Sequence, residues 1–132
     1  MEPFYINVLQ PLLLRYPKEV AILLNKWNKS KNPWERRASV VVFVRTIGET
    51  GKYTKQCIKL CNNLLEDQER LVLQGVGWAL KDTMRGDKKR VLDYVKKLRQ
   101  QAVSSVITLY ALRDLRGKAK SDVLKVKAKR YA

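Results

Sequence analysis

Histidine is absent from this sequence. That removes Ser–His–Asp and Cys–His nucleophilic arrangements, imidazole metal ligands and imidazole acid–base catalysis at one stroke. Any chemistry falls to carboxylates, arginine, aromatic rings and bound water. Cysteine is nearly absent: Cys57 and Cys61 are the only two. Four apart on one helix, they have no second Cys or His pair to complete a tetrahedral zinc site. One turn of regular helix is also poor geometry for a disulfide. They read as reduced thiols of a cytosolic protein, and neither a metal nor another cofactor is expected. Long apolar runs are missing too. The longest, 38–44, is interrupted by Ser39 and falls far short of the ~18 residues a membrane-spanning helix needs. The N-terminus has no basic start and no small-residue cleavage site of a signal peptide. The expectation is a soluble, cytoplasmic protein with no membrane partner.

Acidic residues are scarce. Twelve Asp+Glu stand against 28 Lys+Arg, a formal net charge of +16 on 132 residues. A chain of this length is one domain's worth, and a hydrophobic fraction of 45% is enough for a packed core. Such an excess of one sign does nothing for the fold and raises affinity for polyanions. It is also uneven. Residues 1–30 carry net +2, residues 31–84 net +3, and residues 85–132 fifteen basic and four acidic side chains, net +11. Ordinary solubility needs a net charge of roughly two to eight, so a phosphate backbone is the economical partner.

The apolar spacing is helical throughout. Ile6, Leu9, Leu12, Leu13 and Tyr16 mark a helix over 5–16, and Pro17 opens a second over 17–30 with Val20, Leu23, Leu24 and Trp27 inward. An Asn32 cap and Pro33 start a third, over 34–47. Its run Val40-Val41-Val42-Phe43-Val44 is β-branched, yet strong helix signals precede it and no partner strand exists elsewhere. Further helices are expected over 53–65, with Cys57, Ile58, Cys61, Leu64 and Leu65 inward, and over 69–84, capped by Asp67. A sixth, capped by Asp87, runs to about residue 100 with Val91, Tyr94, Val95 and Leu98 on one face. A seventh, capped by Ser104 or Ser105, ends near 116–117, and a short eighth covers 123–130.

Laid over each other, the helices show an internal repeat. Trp78-Ala79-Leu80-Lys81-Asp82 matches Tyr110-Ala111-Leu112-Arg113-Asp114 at an offset of 32, and Val42-Phe43-Val44-Arg45-Thr46 holds the same phase 36 residues earlier. Helix pairs at this period are the signature of an α-solenoid of the HEAT or armadillo kind. The fold class is therefore all-α, a stack of about seven to eight helices in antiparallel pairs. Residues 1–117 form the repeat domain and 118–132 a basic C-terminal tail. The alternative is a plain helical bundle.

Two segments carry candidate function. Trp34-Glu35-Arg36-Arg37 opens the third helix, with Trp34 and Arg37 on one face, so that the indole can brace the guanidinium stem. Arginines there add cation to an end that already attracts anions. The same residues also suit a packing anchor with two surface charges. In Gly75-Val76-Gly77-Trp78, each glycine costs about 1 kcal/mol in a helix relative to Ala. Either close helix approach or clearance for a ligand beside Trp78 must compensate.

Asn32-Pro33-Trp34-Glu35-Arg36-Arg37-Ala38, with Gly77-Trp78-Ala79-Leu80-Lys81-Asp82 about forty residues on, resembles the DNA alkylation repair enzyme family, the HEAT-like-repeat DNA glycosylases of the AlkD type. Tyr16-Pro17-Lys18-Glu19 and Trp27 fit the same pattern. The resemblance spans most of 4–115 and matches the C-terminal half to two-thirds of a full-length member. It implies an α-solenoid whose basic concave face grips double-stranded DNA and excises N3- or N7-alkylated purines without fully flipping them out. In that family a carboxylate and two tryptophans contact the damaged nucleotide's sugar, and an arginine holds the nearby phosphate. By motif position Arg37 is similar to that arginine and Trp78 to the second aromatic contact. Arg36, Trp34, Lys81 and Arg113 join them as DNA-binding candidates. The family's catalytic aspartate falls, counting back without gaps from Pro17, on Glu2, and no Trp precedes Trp27. Three readings stay open: an alkylpurine glycosylase, a catalytically silent DNA-binding module, and a HEAT-like scaffold for an acidic protein.

Overall fold

Side-chain caps set three of the helix starts, those after Asn32, Asp87 and Ser104. In the computed structural model, which describes residues 5–128, a π-helical turn, Tyr5–Leu9, runs into α1 (Gln10–Arg15). There follow α2 (Pro17–Asn28), α3 (Pro33–Val41), the single turn α4 (Thr46–Glu49) and α5 (Thr54–Asn62). Then come α6 (Arg70–Thr83), α7 (Lys88–Gln100), α8 (Ser105–Ala111) and α9 (Gly117–Leu124). No strand occurs among the described residues. Asn32 Oδ1 accepts from the Trp34 N–H at 2.9 Å with Pro33 in the first turn, Asp87 from Arg90 at 3.4 Å, and Ser104 from Val106 at 3.2 Å. Each satisfies one of the amides a helix start leaves without an internal partner.

The repeat phase has a physical counterpart. α6 packs chiefly against α8 on one side and α3 on the other, while α2 lies on α3. Segment 78–82 lies within α6, 42–46 follows the end of α3 and 110–114 straddles the end of α8, and these three helices form one inner row, α3–α6–α8. Val40, Val72, Val76, Ala79, Leu80, Ile107 and Ala111 are buried in or beside it. The outer helices are tied by polar bonds: the Tyr94 hydroxyl of α7 donates to Asn62 of α5 at 2.8 Å. Buried Asn28 of α2 donates to Ser39 Oγ at 2.9 Å and to the Leu60 carbonyl at 3.1 Å, and accepts from Asn63. The architecture is all-α and compatible with an α-solenoid.

Several elements differ from the expected ranges; α8, expected to end near 116–117, stops at Ala111. The opening π turn, one residue wider than an α turn, changes the buried face. Leu9 and Leu13 are buried while Leu12 and Tyr16 are exposed. The helix expected over 34–47 breaks after Val41. Phe43 and Val44 tighten to i→i+3 bonds, and Arg45 turns to a φ of 58°. Its N–H donates to Asp82 Oδ2 at 2.6 Å. The Gln10 side-chain amide, buried, donates to the Val42 and Val44 carbonyls at 3.1 and 2.7 Å. Two distant side chains therefore hold the break, and Val40 to Val44 are wholly buried, which accounts for their strand-like composition. In the tail the helix is Gly117–Leu124, anchored by fully buried Val123. Lys129 and Arg130, the end of the range expected for it, lie outside the described residues.

Candidate nucleic-acid interface

On α6 the ridge Leu71, Gly75, Trp78 recurs at spacings of four and three and faces α3. Gly75 leaves room for arginine: a Cβ there would meet Arg37 Cγ at 3.0 Å and Val41 Cγ2 at 3.2 Å. In that space Arg37 donates to the Leu71 carbonyl at 2.5 Å, and its guanidinium lies 5.9 Å from the Trp78 ring centroid. Gly77 does the same for α8. A Cβ there would fall 2.7 Å from Tyr110 Cβ and 3.1 Å from the Ile107 carbonyl. Helix approach, not ligand clearance, is what both glycines provide. Tyr110, so seated, takes Lys81 Nζ at 5.9 Å from its ring and the Arg113 guanidinium at 4.0 Å.

The result is a row across three helices: Arg37, Trp78, Lys81, Tyr110, Arg113. Cations alternate with half-buried aromatic rings whose negative faces hold them in place. Four of the six sequence candidates, Arg37, Trp78, Lys81 and Arg113, are brought together here. Tyr110 is not among those candidates, although the repeat match already sets it opposite Trp78. Arg70 and Gln74, on the same side of α6, line with Tyr110, Arg113 and Lys120 a cavity of about 470 Å³.

The other candidates stand elsewhere. Trp34, 39% exposed, sits one helical turn before Arg37 at the start of α3. Arg36 turns away from the row. It holds Asp67 through two bonds of 2.7 and 3.1 Å and donates to the Ser30 and Lys31 carbonyls. The Asp67 hydrogen bond raises its pKa above even the usual arginine range. That pairing ties the start of α3 to the approach to α6. Glu2 lies outside the described residues.

Acids border the row in an ordered network. Lys81 Nζ lies 3.5 Å from Asp114 Oδ2 and 3.6 Å from Asp82 Oδ1. Arg85 bridges Glu49 at 2.9 Å and Asp114 at 2.5 Å. The Arg85 hydrogen bond, reinforced by the charge of Lys81, holds the Asp114 carboxyl below the usual carboxylate range. Asp82 is buried, and its Oδ1 has no hydrogen bond among the described residues; Lys81 and Arg85, at 3.6 and 3.8 Å, face it as charges. Such a row can grip phosphates and lay aromatic faces beside a cationic group, while the carboxylates beside it are engaged by Lys81 and Arg85.

The two cysteines are buried and unbridged, with Sγ atoms 3.9 Å apart, and burial pushes the Cys61 thiol well up. No group of His, Cys, Asp and Glu among the described residues could hold a metal ion. No helix among them is long and apolar enough to cross a membrane. Neither a curated protein nor a solved structure matches the chain. A family model described as DNA alkylation repair enzyme matches residues 3–115, a span that holds the α3 opening, the two glycines and every member of the row. The chain belongs to the DNA alkylation repair enzyme family, and its role lies in DNA repair.

Proposed function

We propose that this chain binds double-stranded DNA along the Arg37–Trp78–Lys81–Tyr110–Arg113 row and serves the excision of N3- or N7-alkylated purines. The observation that carries the reading is the row itself. Three cations are interleaved with two aromatic rings on helices that the internal repeat places side by side. Cations at that pitch suit a phosphate backbone. Ring faces beside them suit a base that carries positive charge, or the cationic sugar that forms as its glycosidic bond breaks. An alkylated N7 or N3 already makes the base a good leaving group, so positioning and charge stabilisation do most of what hydrolysis requires.

One observation favours a second reading, a DNA-binding module without excision of its own. Asp82 and Asp114, the carboxylates at the row, are both held by Lys81 and Arg85, which leaves no carboxylate there to meet a developing oxocarbenium. Base release from methylated duplex separates the two. Free 7-methylguanine or 3-methyladenine above the spontaneous rate, lost in Trp78→Ala, supports excision. Duplex binding with no release supports the module. Absence of duplex binding at low salt overturns both and leaves the scaffold for an acidic protein.

A further inference from the structure

Away from the row, where the end of α7 meets the start of α8 and the chain after α9, lies an open cavity of about 690 Å³. Arg99, Ser105, Thr108, Leu124 and Lys127 are among its lining residues, and no carboxylate is. Arg99 is half-buried, yet neither it nor Lys127 forms an ion pair among the described residues. One guanidinium nitrogen of Arg99 donates to the Leu124 carbonyl at 3.2 Å. Its Nε–H is buried and has no acceptor among the described residues. A half-buried cation with one donor unmatched leaves hydrogen-bonding capacity for a ligand. Two cations and two hydroxyl residues line one space, and that is the donor set a tetrahedral oxyanion satisfies: the guanidinium fork and ammonium meet its charge, the hydroxyls its remaining oxygens.

We infer that this cavity is a binding site for a phosphate group, held by Arg99 and Lys127 and hydrogen-bonded by Ser105 and Thr108. The inference is independent of the row, because none of its residues belongs to it. The phosphate could belong to a nucleic-acid backbone or to a small phosphorylated molecule; both present the same chemistry.

The test is a titration of the full chain with inorganic phosphate at constant ionic strength, followed by amide and guanidinium NMR shifts. Saturable shifts at Ser105, Thr108 and Arg99 Nε–H support the site. So does a fall in affinity of tenfold or more in Arg99→Gln and of severalfold in Lys127→Ala. Lys127 is exposed, so its variant keeps the test valid should Arg99→Gln fail to fold. Linear, non-saturating shifts, or equal affinity in wild type and Lys127→Ala, overturn it. Given saturation, duplex binding then assigns the source. A salt slope about one unit shallower in Lys127→Ala places a backbone phosphate there, and an unchanged slope places a small phosphorylated ligand.

Discussion

At the scale of single residues, the two glycines of α6 differ in what stands against them. Adding a Cβ gains about 1 kcal/mol of helix propensity at either position. At Gly75 the methyl would press on the Arg37 stem at 3.0 Å and Val41 Cγ2 at 3.2 Å, and an arginine stem can swing. At Gly77 it would lie 2.7 Å from Tyr110 Cβ and 3.1 Å from a main-chain carbonyl of α8, so a whole helix must move, at a cost typical of overpacking, about 1–3 kcal/mol. Urea unfolding should therefore show Gly75→Ala within about 0.5 kcal/mol of the parent and Gly77→Ala destabilised by about 1–2 kcal/mol. Because Tyr110 is what Gly77 admits, Gly77→Ala should also weaken duplex binding, whereas Gly75→Ala should alter it only through Arg37. Equal losses at both positions would contradict this account.

At the scale of elements, the joint between α3, α4 and α6 rests on one carboxylate. Asp82 accepts the N–H of Arg45, whose φ of 58° is one that L side chains rarely adopt. Asp82→Ala removes the acceptor of that part-buried bond and should cost about 1–2 kcal/mol, read as a lower denaturation midpoint with an unchanged m-value. The neighbouring bridge of Arg85 to Glu49 and Asp114 adds a dependence on pH. The Asp114 pKa is depressed in the folded chain. Its contribution is therefore complete above the unfolded carboxylate value, about 4, and is lost as pH falls through the lower folded value. Melting temperature should drop more steeply below about pH 4 in the parent than in Asp114→Asn. Because Asp114 is 43% exposed, the difference should be modest and should shrink in high salt.

These joints also explain how far the sequence could be read. Caps, prolines and helical spacing are local, so Asn32, Asp87 and Ser104 mark helix starts in the sequence as they do in the structure. The repeat match even foretells which helices lie side by side. What breaks the helix at Val42 is non-local: Gln10 lies 32 and 34 residues from the carbonyls it binds, and Asp82 lies 37 from Arg45. Nothing in the local spacing reveals either. The site divides in the same way. Arg37, Trp78, Lys81 and Arg113 are legible as candidates through motif and repeat, but Arg36 stands beside them as a candidate until its partner Asp67, 31 residues away, is seen.

For the molecule as a whole, the question is how a charge of +16 divides between a grip on DNA and a general field. Each phosphate neutralised contributes about −0.9 to the slope of log affinity against log salt, so the slope counts contacts rather than net charge. The three cations of the row set a ceiling of roughly −2.7 for what the row alone can supply. They should not contribute equally. Arg113 is braced on the Tyr110 ring at 4.0 Å and should account for nearly a full contact. Lys81 already faces Asp114 and Asp82 within 3.6 Å, so a phosphate must compete with two carboxylates for it. Anisotropy titrations across salt should therefore find Arg113→Ala flattening the slope by close to one unit. Lys81→Ala should flatten it by clearly less, and Asp114→Asn should restore Lys81's share and tighten binding. Whatever slope survives removal of Arg37, Lys81 and Arg113 together measures the remaining cations of the chain, most of them in residues 85–132. If the triple variant keeps the parent's full slope, the row is not the grip and other cations bind on their own.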